Sequence, residues 1–197
     1  MTARSALILA GTGMLRVVAR ELAVDGWQVV LPSRRHAPLP VDDPELRSVR
    51  WSRGRRHTRV GAGRAIWVEA HWDRPRELAR KAEKVLAGPA ELLVAWVHES
   101  YRRAVLGAVE PLLAEDAPVV EVRSLADLAG LAEESEGFYP DHPTQQVLLG
   151  STSDVDPSRP LGHDEIGQGV LYAVQRALEG RPSSVHQIGE RRPVHGA

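Results

Sequence analysis

The chain has 197 residues, of which 43% are hydrophobic, and a formal net charge of −1. These values are typical of one globular domain with a full core, and they give no overall field that would attract nucleic acid or a membrane surface. The absence of cysteine excludes disulfides, thiolate metal ligands and cysteine nucleophiles. Because the sequence shows neither a signal peptide nor an apolar run of membrane-spanning length, we expect a cytoplasmic protein.

The first predicted unit is a strand, a glycine turn, a helix and a second strand within about 30 residues. An apolar run at residues 6–10 precedes the turn, and apolar residues then recur at helical spacing up to Leu22. A second apolar run, residues 27–31, follows Gly26. Such a unit binds dinucleotides, because glycine allows a tight turn and lets a pyrophosphate approach the N–H groups that begin the helix.

The turn and the first helical residues are the expected phosphate contacts. They are Gly11, Thr12, Gly13, Met14, Leu15 and Arg16. Arg16 stands where the third glycine of a G-x-G-x-x-G pattern would be, so its side chain must point away from the sheet. Two interpretations stay open: Arg16 is a solvated first-turn residue, or it reaches a phosphate.

The end of the second strand indicates which dinucleotide is preferred. An acidic residue at this position would bind a ribose 2′-hydroxyl, but the sequence has no carboxylate here before Asp42. Ser33, Arg34 and Arg35 stand there instead. A guanidinium pairs with phosphate oxygens, so we expect NADP(H) to be favoured over NAD(H).

Strands and helices continue to alternate through the rest of the chain. The further strands are expected at residues 66–70, 92–97, 119–122, 146–149 and 184–188. The further helices are expected from Asp73 to a stop at Gly88, from a Ser100 cap to a kink or early end at Pro111, and from His163 to Leu178. This alternation predicts an α/β protein: a single Rossmann-type, doubly wound parallel sheet of about seven strands in the order 3-2-1-4-5-6-7. The domain would span residues 1–189, with 190–197 as a tail.

Three short motifs carry a family resemblance. They are Gly11-Thr12-Gly13-Met14-Leu15, Ala95-Trp96-Val97-His98 and His163-Asp164-Glu165-Ile166. With them, the chain resembles the short-chain dehydrogenase/reductases over most of residues 5–189, and more narrowly a group of small bacterial proteins of that type. The resemblance implies a Rossmann fold and a nicotinamide dinucleotide, and we expect Asp73, Ala95 and Trp96 to border that cofactor as well.

The resemblance also implies a mechanism that this sequence lacks. The family uses a tyrosine as general acid, a lysine four residues later and a serine just after the fifth strand. Ser124 stands at the serine position and Tyr139 lies beyond it, but the residue four past Tyr139 is Pro143. Lys81 and Lys84 are the only lysines of the chain, so no Tyr-x-x-x-Lys motif exists.

His98 is the main candidate for a replacement proton donor. It follows the fourth strand, and open α/β sheets bind ligands at the carboxyl ends of their strands. A histidine can act there as acid or base. Glu99, Tyr101 and Tyr139 are other candidates, together with Ser124 in a residual role. The plainer interpretation is that His98 only bonds backbone and that Trp96 belongs to the core.

The remaining sequence features are less specific indicators of partners and sites. The basic segment 50–59 could contact phosphate or nucleic acid, but we favour a solvated excursion, so no nucleic-acid partner is expected. The histidine spacing gives no metal site. Related proteins associate through the helix after the fourth strand, so a homodimer is possible if the apolar residues of this helix exceed what the sheet covers. They are Val105, Val109, Leu112 and Leu113.

The sequence therefore predicts an NADP(H)-dependent oxidoreductase acting on a small carbonyl or alcohol compound, with a non-standard proton donor. A non-catalytic NAD(P)-binding sensor or scaffold is the alternative, and a non-redox isomerase or dehydratase in the same cleft is a third. The substrate stays open, since no pocket motif specifies one.

Overall fold

The computed structural model describes residues 4–10, 13–34, 63–128 and 137–190, and within these ranges seven strands and four helices form one domain. The strands are β1 (Ser5–Leu9), β2 (Gln28–Ser33), β3 (Arg64–Glu69), β4 (Leu92–Ala95), β5 (Val119–Ser124), β6 (Thr144–Leu149) and β7 (Ser184–Ile188). The helices are α1 (Arg16–Val24), α2 (Pro75–Glu83), α3 (Glu99–Val109) and α4 (His163–Leu178). The basic segment 50–59 lies outside the described residues.

All seven strands join one sheet in the order β3-β2-β1-β4-β5-β6-β7, and every neighbouring pair is parallel. The predicted fold class and strand order are therefore confirmed. Parallel strands connected by helices on both faces are buried on both sides, which explains why β1 and β4 are almost continuously apolar.

The core has two layers, one on each face of the sheet. Ala6 and Ile8 of β1 point into the layer formed with α1 and α4, whereas Leu7 and Leu9 point into the layer formed with α2 and α3. Helix α4 approaches α1 closely because Gly167 has no side chain: a Cβ atom there would lie 2.5 Å from Cγ1 of Val17. The first and last helices therefore share one face of the sheet.

Several element ends differ from the sequence prediction. Helix α2 ends at Glu83, well before the predicted stop at Gly88. Helix α3 is capped by His98 and not by Ser100, which lies inside the helix. Pro111 does end α3 early, since Glu110–Leu112 is a 3-10 turn.

Two further expectations need correction. Glu190 belongs to the folded domain and not to a tail, because its N–H donates to Thr152 O at 3.0 Å. The four apolar residues of the predicted dimer face lie in or against the chain's own core: Val105 and Val109 are fully buried and Leu112 nearly so, while Leu113 packs against them. They provide no excess apolar surface, so the homodimer stays a prediction without support from them.

A buried ion pair holds the crossover between β5 and β6. Nε of Arg102 donates to Oε1 of Glu121 at 2.5 Å, and both residues are buried. The other carboxylate oxygen, Oε2, accepts the N–H of Phe138 at 3.2 Å. Residues 125–143 connect the two strands, and the described parts of this connection contain no helix. Glu121 therefore attaches the loop to the sheet where a crossover helix would otherwise pack.

Glu121→Ala is expected to lower the free energy of unfolding by about 3–5 kcal/mol, because it removes the carboxylate that lies 2.5 Å from the buried guanidinium of Arg102 and breaks a buried ion pair. Urea unfolding measures the change. Glu91→Ala is the control, since the Arg4–Glu91 pair is about half exposed and its loss should cost less than about 1 kcal/mol. The double variant Arg102→Met/Glu121→Leu should recover most of the loss. Equal effects of Glu121→Ala and Glu91→Ala would contradict this account.

Candidate functional site

The carboxyl ends of the seven parallel strands meet at one edge of the sheet. From the central strand β1 the chain leads through α1 to β2 on one side, and β4 pairs with β1 on the other side. Helix α1 packs on one face of the sheet and α3, which follows β4, packs on the opposite face. The ends of β1 and β4 therefore flank a crevice, the position at which open α/β sheets bind ligands.

The turn after β1 is tight. The carbonyl oxygen of Ala10 accepts the N–H groups of Gly13 at 3.2 Å and Leu15 at 3.3 Å. Ala10 has a φ of 69°, a left-handed conformation that costs a residue with a Cβ atom roughly 1–3 kcal/mol. A glycine would adopt this conformation without the steric cost, but this chain has an alanine at position 10. Gly11 and Thr12 lie outside the described residues.

Gly13 is the most informative residue of this turn. It is exposed, its φ is not in the left-handed region, and among the described residues a Cβ atom built on it would meet nothing nearer than Ala10 O at 3.9 Å. That part of the chain therefore tolerates a side chain at this position. A glycine here keeps the surface open for something that approaches from outside the protein.

Helix α1 begins beside Gly13 without a side-chain cap and without an acidic residue in its first turn. The positive end of its dipole lies at the carboxyl edge beside the crevice, where the N–H of Arg16 donates to Gly13 O at 3.2 Å. Leu15 is fully buried and Met14 packs against the core, so their side chains fix the turn and only their backbone faces a ligand. Arg16 is exposed, which agrees with the prediction that it points away from the sheet.

Helix α4 begins at the same edge but is capped by the chain itself. Oε2 of Glu165 accepts the N–H of Gly162 at 3.0 Å and bonds Arg159 at 2.8 Å, and Oε1 accepts the hydroxyl of Ser153. The Ser153 hydroxyl, the Gly162 N–H and Arg159 lower the pKa of Glu165 to about 2. The positive end of α4 is thus neutralised, and α1 is the helix left for an external anion.

The residues at the end of β2 bear on whether NAD(H) or NADP(H) would be preferred. Ser33 is half-buried, Arg34 is exposed, and Arg35 lies outside the described residues. Glu69, the last residue of β3, stands opposite Ser33 in the strand register and is exposed. Reasoning on strand β2 alone missed this carboxylate, because only the pairing of β2 with β3 brings it there.

The turns after β3 and β4 touch through aromatic rings. The rings of Trp72 and Tyr101 are 6.3 Å apart, and those of Tyr101 and His98 are 6.4 Å apart. Asp73 is exposed next to Trp72, just before α2. These side chains form one wall at the β3 side of the crevice, an arrangement that the sequence alone did not reveal.

His98 caps helix α3. Its Nδ1 accepts the N–H of Ser100 at 3.2 Å, so the neutral ring carries its hydrogen on Nε2. The side chain is exposed, and Nε2 can donate to a bound molecule. Ala95 ends β4 as a buried residue, and Trp96 is partly buried against the core layer of α1 and α4.

Ser124 and Tyr139 lie at opposite edges of the sheet. Ser124 ends β5 at the carboxyl edge, where its Oγ accepts the N–H of Ala126 at 3.2 Å and keeps a hydrogen to donate. Tyr139 precedes β6, so it lies at the amino edge, and its buried hydroxyl donates to Leu106 O at 2.7 Å. Burial and the nearby Glu110 and Glu121 raise the pKa of Tyr139.

The structure therefore does not support Tyr139 as a proton donor. Its hydroxyl faces the interior and lies at the wrong edge, whereas Gly13, His98 and Ser124 share the carboxyl edge. The sequence spacing after Ser124 suggested Tyr139 because it showed distance along the chain and not which end of β6 the residue precedes.

The described residues show neither a candidate metal site nor a candidate membrane-spanning helix. No group of three or more histidine, aspartate or glutamate side chains there could hold a metal ion. None of the described helices has the length and apolar character needed to cross a membrane.

Comparisons with known proteins show what this architecture resembles. No family model and no curated protein matches the sequence. The chain is similar to the crystal structure of a putative short-chain dehydrogenase/reductase from Sinorhizobium meliloti 1021, with 16% identity, a TM-score of 0.61 and 96% of each chain covered. It is also similar to a 3-oxoacyl-[acyl-carrier protein] reductase from Brucella melitensis, with 11% identity, a TM-score of 0.60 and 96% of each chain covered.

A third similar structure, an NADH-dependent reductase A1-R′ complexed with NAD, has 14% identity, a TM-score of 0.58 and 95% of each chain covered. At such low sequence identities, the similarity shows that the folds are alike and no more. The chain has the fold of the short-chain dehydrogenase/reductases, as its motifs implied.

Proposed function

We propose that this protein is an atypical short-chain dehydrogenase/reductase that binds a nicotinamide dinucleotide along the carboxyl edge of its sheet. The observation that carries this proposal is the β1–α1 turn. No contact with the described residues requires a glycine at position 13, and this residue lies beside a helix start that has neither a side-chain cap nor an acidic first turn. Both features suit an approaching pyrophosphate. The likeness in fold to reductases, one of them complexed with NAD, supports the same assignment.

The adenosine end would lie at the ends of β2 and β3. Arg34 offers a guanidinium to a 2′-phosphate, with Ser33 and Arg35 beside it, and Asp73 and Trp72 border the position from β3. This arrangement favours NADP(H). Glu69 favours NAD(H) instead, because a carboxylate accepts a hydrogen bond from the 2′-hydroxyl of NAD(H) and repels the 2′-phosphate of NADP(H).

We further propose oxidoreductase activity on a small carbonyl or alcohol compound, with the nicotinamide supplying or accepting hydride. His98 can donate a proton from Nε2, because its Nδ1 is held as an acceptor by Ser100. Ser124, at the end of β5, can donate its hydroxyl hydrogen to a carbonyl oxygen and orient the substrate. Trp96 and Ala95 of the β4 end would border the nicotinamide.

A second function, dinucleotide binding without turnover, is favoured by one observation. Each predicted catalytic group already makes a bond within the chain: His98 caps α3, Ser124 accepts from Ala126, and Tyr139 is buried. A sensor or scaffold would need no other chemistry from these side chains.

Gly13→Val is expected to abolish NADPH binding and to leave the fold intact, because its side chain occupies the space that a pyrophosphate needs and meets no protein atom closely. Cofactor fluorescence and circular dichroism measure the two properties. Gly88→Val is the matched control: a Cβ atom at Gly88 also meets nothing within 4 Å, and Gly88 precedes β4 at the amino edge. Unchanged binding by Gly13→Val would mean that the turn is only structural.

Arg34→Ala is expected to weaken NADPH binding by about 1–3 kcal/mol, the scale of a charge-assisted hydrogen-bond pair, with little effect on NADH. Glu69→Gln is the reciprocal variant and should strengthen NADPH binding relative to NADH. Titration calorimetry with both dinucleotides measures each change. Equal affinity of the wild-type protein for the two would contradict the preference for NADP(H).

His98→Asn is expected to lower turnover by about 10²–10⁴-fold, the usual contribution of a placed acid or base, with little change in NADPH affinity. Asparagine can still cap α3, so this variant removes the proton donor and keeps the helix start. His98→Ala removes both, and Ser124→Ala tests the serine. The assay follows NADPH absorbance across a range of carbonyl substrates.

The outcomes separate the two functions. Activity that survives His98→Asn but is lost with Ser124→Ala would transfer the main role to the serine. Tight NADPH binding with no activity on any carbonyl substrate would favour the sensor or scaffold.

A further inference from the structure

A cavity lies at the opposite edge of the molecule from the proposed dinucleotide site. It has a volume of about 450 Å³, within the usual range of small-molecule sites. Its floor is formed by Thr144 and Gln146 of β6 and Val185 of β7, near the amino ends of these strands. The loop before β6 and Ser183 form its sides.

The cavity opens on the sheet face that α4 does not cover. Along β6, Gln145 bonds Arg176 of α4 and Val147 belongs to the core layer of α4. Thr144 and Gln146 alternate with them and therefore face the other side. Val185 is 54% exposed on that side, where no described helix packs against β6 or β7.

Hydrogen bonds within the chain fix which polar atoms around the cavity can donate and which can accept. Nδ1 of His142 lies 2.9 Å from Ala117 O, and because a carbonyl only accepts, the neutral ring leaves Nε2 as an acceptor. The Oγ of Ser183 accepts the N–H of Thr144 at 2.9 Å, so its own hydrogen can be donated. The Oγ1 of Thr144 donates to His142 O at 2.9 Å and keeps its lone pairs. The cavity thus offers both donors and acceptors at defined places.

The lining residues also limit which charge a ligand of this cavity can carry. None of the described residues around the cavity is an aspartate, glutamate, lysine or arginine. Among the described residues, a phosphate or carboxylate would find no counter-charge there, and neither would an ammonium group. Pro140 and Val185 add an apolar surface beside the hydroxyl and imidazole groups.

We propose that this cavity is a second binding site, for a small neutral polyhydroxylated compound such as a monosaccharide or polyol. Hydroxyl groups both donate and accept, as the mixed lining requires, and the C–H face of such a molecule suits Pro140 and Val185. The site is separate from the carboxyl edge and does not depend on the proposed function.

Titration calorimetry of the full chain with ribose, glucose, mannitol and myo-inositol tests the proposal, with gluconate and glucosamine as charged counterparts. At least one neutral compound should bind saturably, and the charged counterparts should bind about tenfold or more weakly. Val185→Trp should abolish binding by filling the cavity, and the exposure of Val185 makes the change compatible with folding. Gln187→Trp, two residues along the same strand face, should bind as the wild-type protein does.

Ser183→Ala supplies an independent variant, because it removes the donor hydroxyl and leaves the cavity open. It should weaken binding of the neutral compound by about tenfold without changing NADPH affinity. The proposal is overturned if no neutral compound binds saturably, if the charged counterparts bind equally well, or if Val185→Trp and Gln187→Trp bind alike.

Discussion

The position of β1 determines where the proposed dinucleotide site can lie. All five of its residues are buried, and it pairs with β2 on one side and β4 on the other. A strand in this place must satisfy its backbone groups in both directions and its side chains on both faces, so a ligand can approach it only at its ends, and its carboxyl end is the one that meets the crevice. The turn after Leu9, the start of α1 and the end of β4 are brought together by that single requirement.

The described helices differ in which groups balance the positive end of the helix dipole at the carboxyl edge. Glu165 caps α4, His98 caps α3, and α2 carries Glu77 in its first turn. Among the described helices, only α1 begins with neither a side-chain cap nor an acidic residue. An uncompensated helix start costs stability in the isolated chain, and a bound anion removes that cost. The anion binding that we propose for this site therefore depends on the backbone as much as on any side chain.

The sequence was sufficient for the fold because the central strands are buried on both faces and appear as unbroken apolar runs such as Leu92–Ala95. It was less informative where partners are distant along the chain. The pairing of Glu69 with Ser33 depends on strand register, and the bond between Arg102 and Glu121 depends on how α3 packs on β5. The predicted helix cap was also wrong: Ser100 is the better cap by residue type, yet the helix starts two residues earlier and His98 is its cap.

The short connection from β5 to β6 limits the chemistry available. The resemblance implies a helix that carries a tyrosine and a lysine, but the described part of residues 125–143 contains none, and Glu121 fixes the loop through Phe138 instead. Tyr139 is then drawn into the core, where its hydroxyl stabilises α3 through Leu106 O. With that tyrosine committed to packing, a proton donor must come from the ends of β4 and β5. His98 and Ser124 lie there, together with the further candidates Glu99 and Tyr101, so the same loop that completes the fold removes Tyr139 from the candidates for catalysis.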